Sequence, residues 1–513
     1  MNLATLAERS IEAFGTFDFL IFEGKHYSNQ DMVRLSRRCA NAMQSLGLSS
    51  GERVMVLLPN CPQVLIAYLA LLRLGLVIVP VTWGIGPLEL ERILSDSKPA
   101  AVISSERSLG LINELAKSAT ALKHIILIDA PNLENTLFFD DLIAGTAETF
   151  DTAETASDKL AMLLYTAGTT GTPKGVMLTH GNLYSNAEAA SRLVESPGQV
   201  AIGVLPLSHS YGLTVMNTGF LTKTTVVLMR AYDTEEAFRL IERYKINAMT
   251  AVPTRVSLML NHPAVDRYDL SSLQTVGCGA APLSPEVLQA FMRRFKCEVR
   301  EGYGLSEAAP IVSAHRPGRP IKAGSVGEPL PGVSVRIVDK EGKDLPAGAI
   351  GELLVRGPNV MKGYYGLAEE SAQTLREGWL HTGDMARQDG DGYLYLVERK
   401  KDLILRGGFN IYPREVEEVI IRHPGVLEVA VVGVPDAVFG EEVAAVVVVK
   451  EGESLTEEEL LRFCQERLAK NKSPRFVHFA SELPKNAIGK VMRKELRKRF
   501  REAARKDVMS RPE

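Results

Sequence analysis

No stretch of this 513-residue chain is both long enough and apolar enough to read as a membrane span. The most apolar run, "LIAYLALLRLGLVIVPV" (65–81), is broken by Arg73 and punctuated by Gly75 and Pro80, so it reads as helix, turn and strand. The opening "MNLATLAERSIEAFG" sets Glu8 and Arg9 where a signal peptide needs an apolar core. Cysteine is scarce: the five thiols, at 39, 61, 278, 297 and 464, are odd in number, scattered and without a C-x-x-C pair. That argues against a disulfide framework or a cysteine zinc site and suggests reduced thiols in a cytosolic protein. The nine histidines include no H-E-x-x-H. A net charge of −3 leaves no electrostatic footprint for nucleic acid, and no internal repeat or low-complexity tract is present.

Two familiar phosphate loops are missing as well. A P-loop requires G-x-x-x-x-G-K-[ST], whereas Lys174 stands between Pro173 and Gly175. The dinucleotide fingerprint fails at "GCGAAP" (277–282), where Pro282 takes the place of the third glycine.

What remains is 45% hydrophobic and 24% charged, an ordinary globular composition on a chain long enough for at least two domains. One stretch is unusual, "YTAGTTGTPKGVMLTH" (165–180). Three glycines, four threonines and one lysine fall within residues 166–175, directly after the apolar "LAMLL" of 160–164. That pattern predicts a buried strand ending in an exposed loop. Glycine lets backbone N–H groups crowd an anion, threonine hydroxyls add donors, and lysine adds a point charge. The loop reads as a phosphate cradle.

Along the chain, β-rich runs such as "RVMVLLP", "LVIVPV", "AAVISS" and "HIILID" alternate with helical segments such as 235–245 and 284–295. This predicts an α/β fold with largely parallel sheets, and functional loops at the carboxyl ends of strands. After about residue 325 the texture changes to short strands bounded by glycine and proline, a small β-barrel or antiparallel unit. A charge run followed by a glycine pair, "VERKKDLILRGGFNIYP" (397–413), marks a second boundary, beyond which a compact α+β unit is expected.

Five further motifs accompany the first: "PLSHSYG" (206–212), "EGYGLSEAAP" (301–310), "GWLHTGD" (378–384), "ERKKDLILRGGFNIYPREVE" (398–417) and "LPKNAIGKVMRKEL" (483–496). In this order the chain resembles, over essentially its whole length, the adenylate-forming enzymes: acyl- and aryl-CoA synthetases, peptide-synthetase adenylation domains and firefly luciferase. The resemblance implies a large N-terminal domain, residues 1–400, with two flavodoxin-like α/β subdomains and a distorted β-barrel. It also implies a small mobile C-terminal α+β domain, residues 401–513, with its hinge at Lys401. Such enzymes use Mg-ATP to convert a carboxylate to an acyl-adenylate and pyrophosphate, then usually pass the acyl group to a thiol.

The same resemblance assigns roles. Thr166, Thr169, Thr170, Gly171 and Lys174 would hold the phosphates that leave as pyrophosphate. Glu307 would bind Mg2+, with Ser306 keeping the hydroxyl of the threonine usual before it. Gly302, Tyr303 and Gly304 would flank the adenine on one side, with Gly279 and Ala280 on the other. Asp384 would accept from the ribose hydroxyls and Arg399 would support the same sugar. Lys490 would bridge the carboxylate and the α-phosphate, which makes it, with Lys174 and His209, a catalytic candidate. Gly407 and Gly408 would line the pantetheine tunnel for CoA, where absent side chains let a thin substrate pass the backbone.

The stretch 378–417 looks most like fatty acyl-CoA synthetases acting on medium- to long-chain acids. An aryl or other small-carboxylate CoA ligase is the alternative, and a stand-alone adenylation enzyme loading a carrier protein is a third reading. A non-enzymatic scaffold would not need Lys490, Glu307 and Lys174 together. The expected partners are small molecules, with no nucleic acid. Three details depart from the pattern or leave two readings open. Ser208 stands where many relatives carry phenylalanine; Arg406 replaces a common serine and reads as a solvated arginine before a CoA-phosphate contact; His209 reads equally as a packed, hydrogen-bonded histidine. The tail 484–513 carries eleven Lys/Arg against four Asp/Glu, with Met492, Leu496 and Phe500 at helical spacing. It reads as a helix packed on the small domain or, alternatively, as a weak peripheral contact with an anionic membrane. The expected location is accordingly cytoplasmic, with or without membrane association.

Overall fold

The computed structural model describes residues 2–117, 121–131, 133–166, 173–281, 283–400, 402–407, 409–436, 438–485 and 491–500. Contacts divide the chain into two compact units, Met1–Val335 with Val355–Leu380, and Arg336–Leu354 with His381–Glu513.

In the first unit the Val/Ile/Leu-rich runs become inner strands of two sheets, covered on both faces as parallel strands must be. One sheet runs in the order Gly363–Tyr364, Lys174–Thr179, Leu160–Thr166, Val77–Thr82, Arg53–Leu58, Ala101–Ser104, His124–Leu127 and Leu137–Phe138. It is parallel from Leu160–Thr166 onward, and antiparallel where Lys174–Thr179 and Gly363–Tyr364 add to its edge. The other sheet has parallel strands Glu298–Gly304, Thr275–Cys278, Ala248–Ala251, Val200–Gly203, Thr225–Leu228 and Asp18–Phe22 at its centre. Antiparallel strands close both of its ends.

The amphipathic segments form helices close to where their pattern puts them. Thr234–Tyr244 starts at the cap Asp233, and Pro285–Phe295 at the cap Ser284, each side chain accepting a first-turn N–H. Their apolar faces, Phe238 and Ile241, and Phe291 and Phe295, bury against Met249, Val276 and Val299 of the sheet. The run 65–81 is indeed helix, turn and strand: Pro62–Arg73, Gly75 at φ +70°, then Val77–Thr82. Arg73, the charge that spoils this run as a membrane span, is fully buried and pairs with Glu8 at 2.6 Å. Among the described residues no helix is long and apolar enough to cross a membrane.

A further sheet joins Ser334–Val338, Gly351–Arg356, Trp379–Gln388, Leu375–Arg376 and Leu394–Arg399, where the sequence predicts short antiparallel strands. The boundaries between the two units fall inside three of these strands.

The second unit is organised by a long hairpin, Val426–Asp436 with Gly440–Val449. Alternate residues feed two apolar layers. Val431, Val443, Ala445 and Val447 face the helices Pro413–Ile420 and Glu457–Gln465. Ala430, Val432, Ala444 and Val446 meet Leu483 and Leu496. Leu496 is 2% exposed and Phe500 packs on the same layer, which supports the packed-helix reading for residues 493–500; Met492, at 40%, stays outside it. Residues 501–513 of the basic tail lie outside the described residues.

Candidate active site

The strand predicted before the phosphate cradle is Leu160–Thr166, and the cradle joins it to Lys174–Thr179 as an antiparallel hairpin. Thr166 pairs with Lys174 and Tyr165 with Gly175, so the two ends of the loop sit opposite each other. Thr169, Thr170 and Gly171 fall outside the described residues.

Lys174 and Glu307 converge on a residue that carries no motif in the sequence, Tyr364. The Lys174 Nζ lies 5.1 Å from the centre of the Tyr364 ring. The Tyr364 hydroxyl donates to Glu307 Oε1 at 3.0 Å. Backbone hydrogen bonds stitch this tyrosine into place, with Tyr365 N donating to Gly175 O at 2.8 Å and Met361 N to Glu307 O at 2.8 Å. Asn182 Nδ2 donates to both Pro358 O and Val360 O at 2.8 Å, fixing the same segment from the other side. Burial, then the Glu307 charge, push the Tyr364 phenol well above its ordinary range, so it remains a donor. The only sequence signal was a glycine-flanked aromatic pair, "GYYG" (363–366), beside "MK".

Gly279 follows the end of strand Thr275–Cys278 and Gly302 lies within the neighbouring parallel strand Glu298–Gly304, and a Cβ on Gly279 would lie 3.1 Å from Gly302 O. Ala280 holds φ +71°, an uncommon value for a side-chain-bearing residue. A Cβ on Gly304 would come within 2.3 Å of Pro310 O, so the turn into Ser306 and Glu307 requires glycine there. The sheet thus brings Gly279, Ala280, Gly302, Tyr303, Gly304, Ser306 and Glu307 to one edge, with the Tyr303 side chain largely buried.

His209 caps the helix Ser210–Thr222, its Nδ1 accepting from Tyr211 N at 3.2 Å. The neutral ring therefore carries its proton on Nε2. Ser208 Oγ meets Thr82 Oγ1 at 3.4 Å, so the polar residue replacing phenylalanine has a polar partner. Tyr211, also overlooked in the motif, sets its ring 3.6 Å from where a Gly279 Cβ would stand and its hydroxyl 3.8 Å from that of Gly277.

In the second unit Asp384 and Arg399 face each other on paired strands, with Arg399 Nε 3.1 Å from Asp384 Oδ1. Thr382 Oγ1 accepts from Asp384 N at 3.1 Å, and Asp384 is 4% exposed. The two residues expected on one sugar are thus already an ion pair. Gly407 has φ +56° and its N–H donates to Phe439 O at 2.8 Å. Arg406 corrects the expectation of a solvated side chain: its Nε lies 2.8 Å from Oε2 of the fully buried Glu442, and Nη1 donates to Asn471 O at 2.7 Å. A buried carboxylate demands such a partner.

Lys401, Gly408 and Lys490 lie outside the described residues. Their surroundings in the chain do not. Lys485 and Val491 form an antiparallel bridge around 486–490, and Lys485 Nζ pairs with Glu428 at 2.6 Å. Arg493 Nη2 meets both oxygens of Glu417, at 2.7 and 2.8 Å, and Arg497 meets Asp402 at 2.7 Å.

Among the described residues no three His, Cys, Asp or Glu side chains cluster as a metal site. Glu307 offers one carboxylate oxygen engaged by Tyr364 and a second with no protein partner among the described residues. A single hard oxygen suits magnesium, which keeps most of its shell from phosphates and water.

These arrangements agree with known proteins. The AMP-binding enzyme family matches residues 7–365, and the AMP-binding enzyme C-terminal domain matches residues 415–490. A long-chain-fatty-acid–CoA ligase of Bacillus subtilis is 36% identical over 525 residues, covering 96% of this chain and 94% of the relative. A feruloyl-CoA synthase of an Amycolatopsis species is 38% identical over 475 residues, covering 92% and 93%. The ATP-bound structure of MatB from Rhodopseudomonas palustris superposes with a TM-score of 0.91 at 32% identity, covering 98% and 99%. The chain belongs to the adenylate-forming AMP-binding enzymes, in their acyl-CoA synthetase branch, and is an AMP-forming acid–CoA ligase.

Proposed function

We propose that the carboxylic acid is a medium- to long-chain fatty acid, activated with Mg-ATP and transferred to CoA. The observation that carries this reading is the near end-to-end match to a long-chain-fatty-acid–CoA ligase.

A carboxylate is a poor nucleophile toward an anionic triphosphate, so charge must be neutralised at both reacting ends. Thr166, Thr169, Thr170, Gly171 and Lys174 hold the β- and γ-phosphates, and Lys490 draws the carboxylate to the α-phosphate. A carboxylate oxygen bonds phosphorus as the bond to pyrophosphate breaks. Magnesium, held by Glu307, supplies charge neutralisation at the departing phosphates when bound. Asp384 accepts from the ribose hydroxyls while the Arg399 contact fixes its direction. In the second half the CoA sulfur, its proton given up to water, attacks the acyl carbon as the bond to AMP breaks. His209, whose Nδ1 accepts from Tyr211 N, matches a position near the acyl carboxylate and the thioester step. Lys401 is the proposed hinge between residues 1–400 and 401–513.

A second reading, an aryl acid, is favoured by the feruloyl-CoA synthase relative and by the phenol of Tyr211 beside Gly277 and Gly279. AMP release measured over a panel of saturated fatty acids, benzoates and cinnamates decides between them. Fatty acids of several chain lengths should turn over best, because each pocket methylene discriminates by only about 1–3 kcal/mol. A far higher kcat/KM for an aromatic acid than for every fatty acid would transfer the assignment to the aryl reading.

A further inference from the structure

Lys174 and Glu307 carry opposite charges beside one aromatic ring, yet among the described residues they form no ion pair with each other. Left to themselves such groups attract strongly in a partly dry site. Pairing would consume both, since the ammonium would be lost to phosphate oxygens and the carboxylate to a metal cation. Tyr364 gives each charge a different neutral partner. Its ring face attracts the ammonium without supplying negative charge, so the three N–H donors of Lys174 stay available. Its hydroxyl occupies one oxygen of Glu307 and leaves the other open.

The ring cannot easily move to let the charges meet. Gly363 and Tyr364 pair with Met177 and Val176 on the edge of the sheet. Tyr364 N donates to Ser371 Oγ at 2.8 Å, and that hydroxyl donates to Leu367 O at 2.6 Å. Tyr364 is also 9% exposed, packed rather than solvated.

We infer that Tyr364 is a positioning residue that keeps Lys174 and Glu307 apart and aimed before the nucleotide arrives, and so sets the affinity for Mg-ATP. This rests on the nucleotide-phosphate and magnesium roles proposed above for Lys174 and Glu307.

Calorimetric binding of ATP, with Mg2+ and with EDTA, tests it without turnover. Tyr364→Phe keeps the ring and should bind metal-free ATP like wild type, while the gain in affinity from Mg2+ falls by about tenfold, the worth of one hydrogen bond to a charged group. Tyr364→Leu should weaken metal-free ATP binding as well, by a similar factor, because Glu307 captures Lys174. Adding Glu307→Gln to Tyr364→Leu should restore metal-free ATP binding, a rescue that a merely structural tyrosine would not allow. The inference is overturned if the double variant binds no better than Tyr364→Leu, or if Tyr364→Phe keeps the full magnesium gain. Should Tyr364→Leu fail to fold, Tyr364→Phe alone decides. Lys174→Ala and Glu307→Gln in the wild-type background separate this from its premise: if neither alters ATP binding or the magnesium gain, the assigned roles fall first.

Discussion

Arg73 Nη1 lies 2.6 Å from Glu8 Oε1, and the guanidinium is wholly cut off from solvent. Its Nε donates to Ser36 Oγ at 3.0 Å and its Nη1 to Thr152 Oγ1 at 2.9 Å, so one buried charge ties three distant segments together. Removing one member of such a pair costs about 3–5 kcal/mol, because the other charge is left uncompensated. Glu8→Ala should therefore lower the denaturant midpoint strongly. Glu8→Leu combined with Arg73→Met should recover much of that loss. A Glu8→Ala midpoint within experimental error of wild type would rule out this role.

A pH dependence follows from His180, whose Nδ1 accepts from Leu3 N at 3.0 Å. Burial pushes its pKa down to about 4. Between the unfolded value near 6.5 and that figure, the unfolded chain binds the proton and the folded chain does not. Stability should thus fall as pH drops from about 6.5 to 4, by about 3 kcal/mol from this group. His180→Asn offers Leu3 an acceptor that does not titrate, and should flatten this limb in unfolding curves taken across the range. An unchanged slope would assign the acid sensitivity elsewhere.

All five cysteines are free and buried, and burial pushes Cys39 and Cys297 up to about 12 and Cys61 and Cys464 up to about 11. The thiolate is the reactive form. Native protein at pH 8 should therefore give almost no rapid reaction with a thiol-specific disulfide reagent, and five equivalents after denaturation. One fast equivalent in the native state would reveal a thiol less enclosed than the fold indicates.

The two half-reactions should separate by mutation. Lys490→Ala should slow acyl-AMP formation by roughly 10²–10³, the worth of one preorganised charge contact, while leaving CoA transfer from supplied acyl-AMP nearly intact. Lys401→Pro should do the reverse, since fixing φ at the hinge restricts a swing without touching first-step contacts. Pyrophosphate release and thioester formation report the two steps. Equal slowing of both steps by both variants, in proteins that melt like wild type, would reject the assignment.

Local pattern carried much of this molecule. The apolar run at 65–81, the helical segments 235–245 and 284–295, and the strand before the cradle were legible because each depends on neighbours a few residues away. Tyr364 was not legible: its partners are 190 and 57 residues distant, and only chain topology brings them together. Arg406 failed for the same reason, since the buried carboxylate that claims it is 36 residues further on. The division at residue 400 proposes a point of motion, whereas the compact units record packing, which groups Arg336–Leu354 with the residues from His381 onward.

Lys490 adjoins Val491, and Val491 is bridged to Lys485. Two residues later Arg493 grips Glu417 with two hydrogen bonds, and Leu496 is sunk in the valine layer. The segment 491–496 is thus held to both the hairpin Val426–Asp436/Gly440–Val449 and the helix Pro413–Ile420. If Lys490 acts as proposed, loosening the Arg493–Glu417 grip should slow acyl-AMP formation while every proposed catalytic side chain remains.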